Sequence, residues 1–113
     1  MQEKYVIFER LKGKTTLVGS LIKSGQEKIL TLVDGLEQCN VPFQFIRGYG
    51  NGLREFGTEQ VDKWIRTRIP PPYRQDIDDV LRALGVADYD EWEIFKAYSG
   101  RSARDFYYIE RVQ

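Results

Sequence analysis

Ser99-Gly-Arg-Ser-Ala-Arg104 gathers two guanidiniums and a run of backbone N–H groups into one turn ahead of a strand-like segment. Such a turn suits a phosphate or a carboxylate, because a planar guanidinium donates two parallel hydrogen bonds to either group. It equally suits a surface turn whose arginines meet the nearby acids Asp88, Asp90, Glu91 and Glu93. Arg66-Thr-Arg-Ile-Pro-Pro-Pro-Tyr-Arg74 has the basic flanks and preformed extended backbone of a ligand for an SH3-type groove. It also lies between two helical patterns, where prolines are ordinary punctuation. Gly48-Tyr-Gly-Asn-Gly52 permits the close backbone approach of a phosphate loop. Leu53-Arg54-Glu55 follows it, however, in place of Gly-Lys-Ser/Thr, and no parallel βαβ unit surrounds it. The stretch therefore reads as a flexible connecting loop that displays Tyr49.

Carboxylates cluster twice, at Asp76, Asp78 and Asp79 and at Asp88, Asp90, Glu91 and Glu93. General acid/base work needs one of them raised in a pocket. Both clusters fall at predicted helix starts, where acids complement the macrodipole and supply caps. Neither has the spaced loop and closing Glu of a calcium site. Trp64 lies beside Lys63 and near Arg66, with Arg68 and Glu59 close in sequence. A large aromatic among charges is the make-up of an interface anchor, while its spacing from Val61 and Ile65 also fits a helix core.

The totals narrow the classes. The 113 residues carry 17 Lys plus Arg against 17 Asp plus Glu, no His and one Cys. Without His there is no triad, and most zinc sites are removed. A single Cys39 excludes an internal disulfide and any CxxC pair, and fits a reducing cytoplasm. A formal charge of zero argues against a chain dedicated to wrapping nucleic acid. No segment has the pattern of a signal peptide or the roughly 18 apolar residues of a membrane span. No cofactor or metal motif is present.

The elements that must position these residues follow from periodicity. Tyr5–Leu11, Thr15–Ile22 and Lys28–Val33 read as strands joined by Gly-containing turns, an antiparallel meander. Pro42-Phe-Gln-Phe-Ile46 alternates and reads as a fourth, edge-type strand. Val61, Trp64, Ile65 and Ile69 form one stripe of a helix capped by Thr58 and ended by the prolines. A second helix spans Tyr73–Leu84, with Gly85 as its C-terminal cap. A third follows a capping-box-like Asp88-Tyr-Asp-Glu91 and runs to about Tyr98. Asp105–Val112 is a closing strand, Phe106 and Tyr108 on one face and Tyr107 and Ile109 on the other. The expectation is one α+β domain over residues 1–113: a β meander, three helices on one side, and a C-terminal strand returning to the sheet.

Two stretches together carry a resemblance. Leu17-Val-Gly-Ser-Leu21 is one. The other runs from Val61 through Ile69-Pro-Pro, Arg74-Gln-Asp-Ile77, Tyr89, Trp92–Phe95 and Gly100-Arg-Ser102 into the last strand. Their order resembles the small N-terminal subdomain of HipA-family serine/threonine kinases, and is similar to the segment preceding HIRAN domains. The pattern departs at residues 48–57, which are glycine-rich here. The resemblance implies a non-catalytic, stand-alone small subunit, an antitoxin-like partner of a HipA-like kinase. The alternative it implies is a nucleic-acid-binding accessory module of a HIRAN-type or phage-defence system. The residues expected to meet a partner are Trp64 with Lys63 and Arg68, Tyr49 in its loop, and Arg101 with Arg104.

Overall fold

The computed structural model describes residues Met1–Gln113. Its centre is a five-stranded antiparallel sheet. The strands are β1 (Gln2–Leu11), β2 (Lys14–Ser24), β3 (Glu27–Leu32), β4 (Glu55–Phe56) and β5 (Tyr107–Arg111), in the spatial order β4-β3-β2-β1-β5. Four helices, α1 (Ile46–Gly50), α2 (Thr58–Arg66), α3 (Ile77–Leu84) and α4 (Glu91–Ala97), complete a mixed α+β fold. The closing strand returns to the meander as its pattern predicts, pairing Ile7 with Ile109 and Phe8 with Tyr108.

One face of the sheet makes the core. Tyr5, Ile7, Leu21, Leu30, Leu32, Phe56, Tyr107 and Ile109 point to it and join Val61, Trp64, Ile65, Trp92, Ile94 and Phe95 from the helices in a single buried cluster. Each fully buried side chain of this size contributes about 2–3 kcal/mol. Trp64 is the centre of an aromatic chain, edge-on to Phe45 at 5.8 Å and to Phe95 at 5.6 Å. The orientation of the last strand, open on alternation alone, is settled by burial: Tyr107 and Ile109 face the helices.

Gly19 explains the Val-Gly-Ser piece of β2. The register slips between Ile7 and Phe8, leaving Val18 as the extra residue of a β-bulge. A Cβ at Gly19 would stand 2.2 Å from the Thr31 carbonyl oxygen, so only glycine lets β3 approach there.

Four local expectations are corrected. Pro42–Ile46 is not a strand: Phe43–Phe45 forms a 3-10 turn that drops Phe45 into the core, and α1 follows directly. The segment 48–52 is accordingly half helix rather than a flexible loop, with Gly48 closed against the Phe56 ring. Tyr73–Asp76 is a set of turns and helix begins only at Ile77, because the prolines hold the preceding backbone extended. The cap of α4 is Asp90, accepting from the Glu93 N–H at 3.0 Å, two residues beyond the box start read at Asp88. The left-handed cap at Gly85 stands as predicted, at φ 76°.

Groups from outside the strands plug part of the backbone near both margins of the sheet. Thr58, predicted as a helix cap, instead accepts from the Lys28 N–H at 2.9 Å and donates to the Lys28 carbonyl at 3.4 Å, on the open side of β3. Arg54 O accepts from Leu32 N–H further along the same edge at 2.7 Å. On the far edge, Ile109 N–H donates to Ser99 O, and Arg68 Nη2 donates to Tyr107 O.

Candidate functional site

The six residues expected at a partner surface separate into three groups. Trp64 is 1% exposed, so it is a core residue and not an anchor. Lys63 and Arg66 flank it in sequence but point elsewhere, since neighbours along a helix do not share a face. Arg68 is also withdrawn. Its side chain is 3% exposed and bidentate on Asp105 (2.7 and 2.8 Å), with Nε donating to Gly100 O at 2.7 Å. It locks the end of α2 to the turn before β5, with four of its five N–H donors spent inside the fold. Tyr49 is half-buried, its hydroxyl donating to Leu36 O and its ring stacked under Arg54 at 4.0 Å. Helix formation at 46–50, absent from the sequence reading, is what withdraws it.

Lys63, Arg101 and Arg104 do stand in solvent. Lys63 pairs with Glu59 at 3.6 Å and lines a groove of about 940 Å³ between α2 and the Phe43–Arg47 segment. Phe43, 84% exposed, projects at that groove. Arg101 lies over the Tyr108 ring at 4.4 Å, and Arg104 makes no ion pair. The two arginines line one recess at the α4–β5 turn.

A further surface feature is the uncovered face of the sheet, which the residue types alone did not single out. Leu17, Phe8 and Tyr108 stand side by side across β2, β1 and β5. Phe8 and Tyr108 bring their rings to 5.6 Å. Ile22 and Ile29 pair at the other end. Between these two ridges the small or short residues Val6, Ser20 and Thr31 leave a trough of about 460 Å³, with Lys4 and Arg54 at its margin. Leu17 is 47% exposed, Ile29 42% and Phe106, at the corner, 58%. A signal for this face was present in the strands. Each of the longer ones carries adjacent apolar residues (Tyr5-Val-Ile-Phe8, Leu17-Val18, Leu21-Ile22, Ile29-Leu30). Continuous runs of that kind belong to strands covered on both faces, and strict alternation to strands covered on one.

Most acids of the two clusters have partners within the fold. Arg74 holds the Asp76 carboxyl below the usual range by hydrogen bond and charge. Asp79 pairs with Arg82, Glu91 with Arg66, and Glu93 with Lys96. The recess nearest the first cluster holds one carboxylate, Asp78, beside Arg82. Two tyrosines are displaced upward. Burial first, then the Glu3 carboxylate that accepts its proton, pushes Tyr5 up to about 12. Burial also raises Tyr107, reinforced by Glu9 and Asp105, while its hydroxyl donates to Asn40 O. Glu9 is itself buried and accepts from the Asn40 amide at 2.8 Å. Glu9 and Tyr107 thereby tie the 38–41 turn to the sheet through Asn40.

Comparison with protein-family models, curated proteins and solved structures finds no match to the chain.

Proposed function

We propose that the chain is a non-catalytic interaction module that receives a protein partner on the uncovered face of its sheet. The observation that carries this reading is the doubled apolar pattern of the strands. They are composed for cover on two sides, and their own helices cover one. Contiguous apolar surface rimmed by charge is the make-up of a docking surface. The rim here is Lys4, Arg54 and Asp34 on one side and Glu110 and Arg101 on the other. Plugged backbone groups beside β4 and along β5 leave only short stretches for strand addition, which favours the face as the place of docking.

In the specific form that the resemblance implies, the partner is a HipA-like kinase and the chain is its antitoxin-like inhibitor or regulatory subunit. The test is co-expression with a HipA-like kinase from the same genome, followed by affinity purification and a kinase assay. The expected result is a stable complex with depressed kinase activity. Leu17→Asp with Ile29→Asp is expected to abolish the complex while circular dichroism stays unchanged. A complex indifferent to both substitutions sinks the surface, and no complex at all sinks the kinase.

A further inference from the structure

Where the end of α2 and its proline joint meet the α4–β5 turn, a recess of about 460 Å³ is lined by Arg68, Arg74, Arg101 and Arg104, with the Thr67 and Ser102 hydroxyls between them and no carboxylate in its wall. In a chain of zero formal charge this is an unusual concentration. Six of the ten arginines are spent on ion pairs: Arg54, Arg66, Arg68, Arg74, Arg82 and Arg111. Of the remaining four, two stand together here. Arg68 forms the floor, neutralised by Asp105 and fixed by its hydrogen bonds to Gly100 O and Tyr107 O. Arg101 lies over the Tyr108 ring at 4.4 Å, a contact that spends none of its N–H donors on a hydrogen bond. Arg104 has no carboxylate partner, and its backbone N–H is held by Ser102 Oγ at 3.2 Å, which shapes the turn.

We propose that this recess binds a phosphomonoester dianion, with Arg101 and Arg104 as its charged ligands and Ser102 as a hydroxyl donor. Guanidinium forks match the oxygen geometry of phosphate, and two unpaired forks lining one recess favour a group with three terminal oxygens over a carboxylate with two. Confinement to one recess favours a terminal phosphate over a nucleic-acid backbone, which needs a row of cations along its length. Around this recess the surface alternates instead, Asp76 beside Arg74 and Glu91 beside Arg66. The recess shares Arg101 with the rim of the sheet face, but its anion reading does not depend on the docking of a partner there.

The experiment is a titration of the full chain followed by amide and arginine side-chain NMR. The probes are inorganic phosphate, AMP and a phosphoserine peptide, with acetate and a short DNA duplex as comparisons. Inorganic phosphate is expected to shift the signals of Arg101, Ser102 and Arg104 selectively. Affinity is expected to rise as pH goes from 5.5 to 7.5, because the dianion forms with a second pKa of about 6 while arginine stays charged. Arg101→Gln with Arg104→Gln is expected to weaken binding at least about tenfold, and Arg47→Gln, an exposed arginine elsewhere, to leave it unchanged. The tighter of AMP and the phosphopeptide then identifies the source of the phosphate. Equal responses to acetate and phosphate, shifts spread over all surface cations, or duplex DNA binding more tightly than every phosphomonoester would each overturn the proposal.

Discussion

On the inward face of the sheet Ile7, Leu21 and Leu30 are wholly buried, whereas on the outward face Phe8, Ile22 and Ile29, one residue away along the same strands, stand half-buried or exposed. The residue types are nearly the same on the two sides. What differs is cover: Val61, Trp64, Ile65, Ile94 and Phe95 press on the first face, and nothing in the chain presses on the second. Apolar composition therefore marks where a strand can be covered, and the supply of helices decides where it is. In an isolated chain the outward residues contribute a fraction of the roughly 2–3 kcal/mol that their inward neighbours realise. The remainder stays available to association.

Substitutions should separate the faces by size of effect. Trp64→Ala removes the hub between Phe45 and Phe95 and is expected to cost about 3–5 kcal/mol, read as a large fall in the midpoint of urea unfolding. An unchanged midpoint would place Trp64 outside the core. Arg68→Ala leaves Asp105 facing the protein without its fork and is expected to cost about 3 kcal/mol, with loss of order in the 99–105 turn visible by hydrogen exchange. Glu3 tests the rim between the faces. Its carboxyl is held below the usual range chiefly by the Tyr5 hydroxyl, with Lys96 and Trp92 assisting against burial. Its contribution is complete above the unfolded-state value of about 4.3 and is lost as pH falls through the lower folded value. Glu3→Gln should therefore be less stable than the parent at pH 7, with the gap closing below pH about 4 in a series of thermal melts. The smallest effect on stability belongs to Leu17→Asp, within about 0.5 kcal/mol in urea unfolding. A loss comparable to that of Trp64→Ala would mean that the two faces do not differ as described.

Much of the fold was legible. The three long strands, the closing strand and helices α2 and α4 follow from residue type and period, and Gly85 ends α3 where a C-terminal glycine should. The segment 42–50 was not legible because its alternation is short and ambiguous. Phe43 and Phe45, two apart, read as one face of a strand, whereas the 3-10 turn sends Phe45 inward and Phe43 outward, and the deciding contact, Gly48 against Phe56, involves a partner eight residues on. The candidate site was less legible still. Charges next to Trp64 in sequence say nothing of its exposure in a helix, and the burial of Arg68 depends on Asp105, 37 residues later. That Arg101 and Arg104 share one recess was readable because the two are local in sequence. The open face left its trace in adjacent apolar pairs, but which side the helices would take is a tertiary outcome.

The plugged margins of the sheet have a consequence for a chain waiting in solution with an apolar surface uncovered. Such a surface draws copies together, and in most sheets the unpaired backbone at the margin then lets them grow by templated stacking into fibrils. Here Thr58 plugs β3 beside the two-residue β4, and Ser99 with Arg68 plugs part of β5. Copies that touch face to face use that contact up, and the plugged groups shorten the row of backbone from which further strands could add.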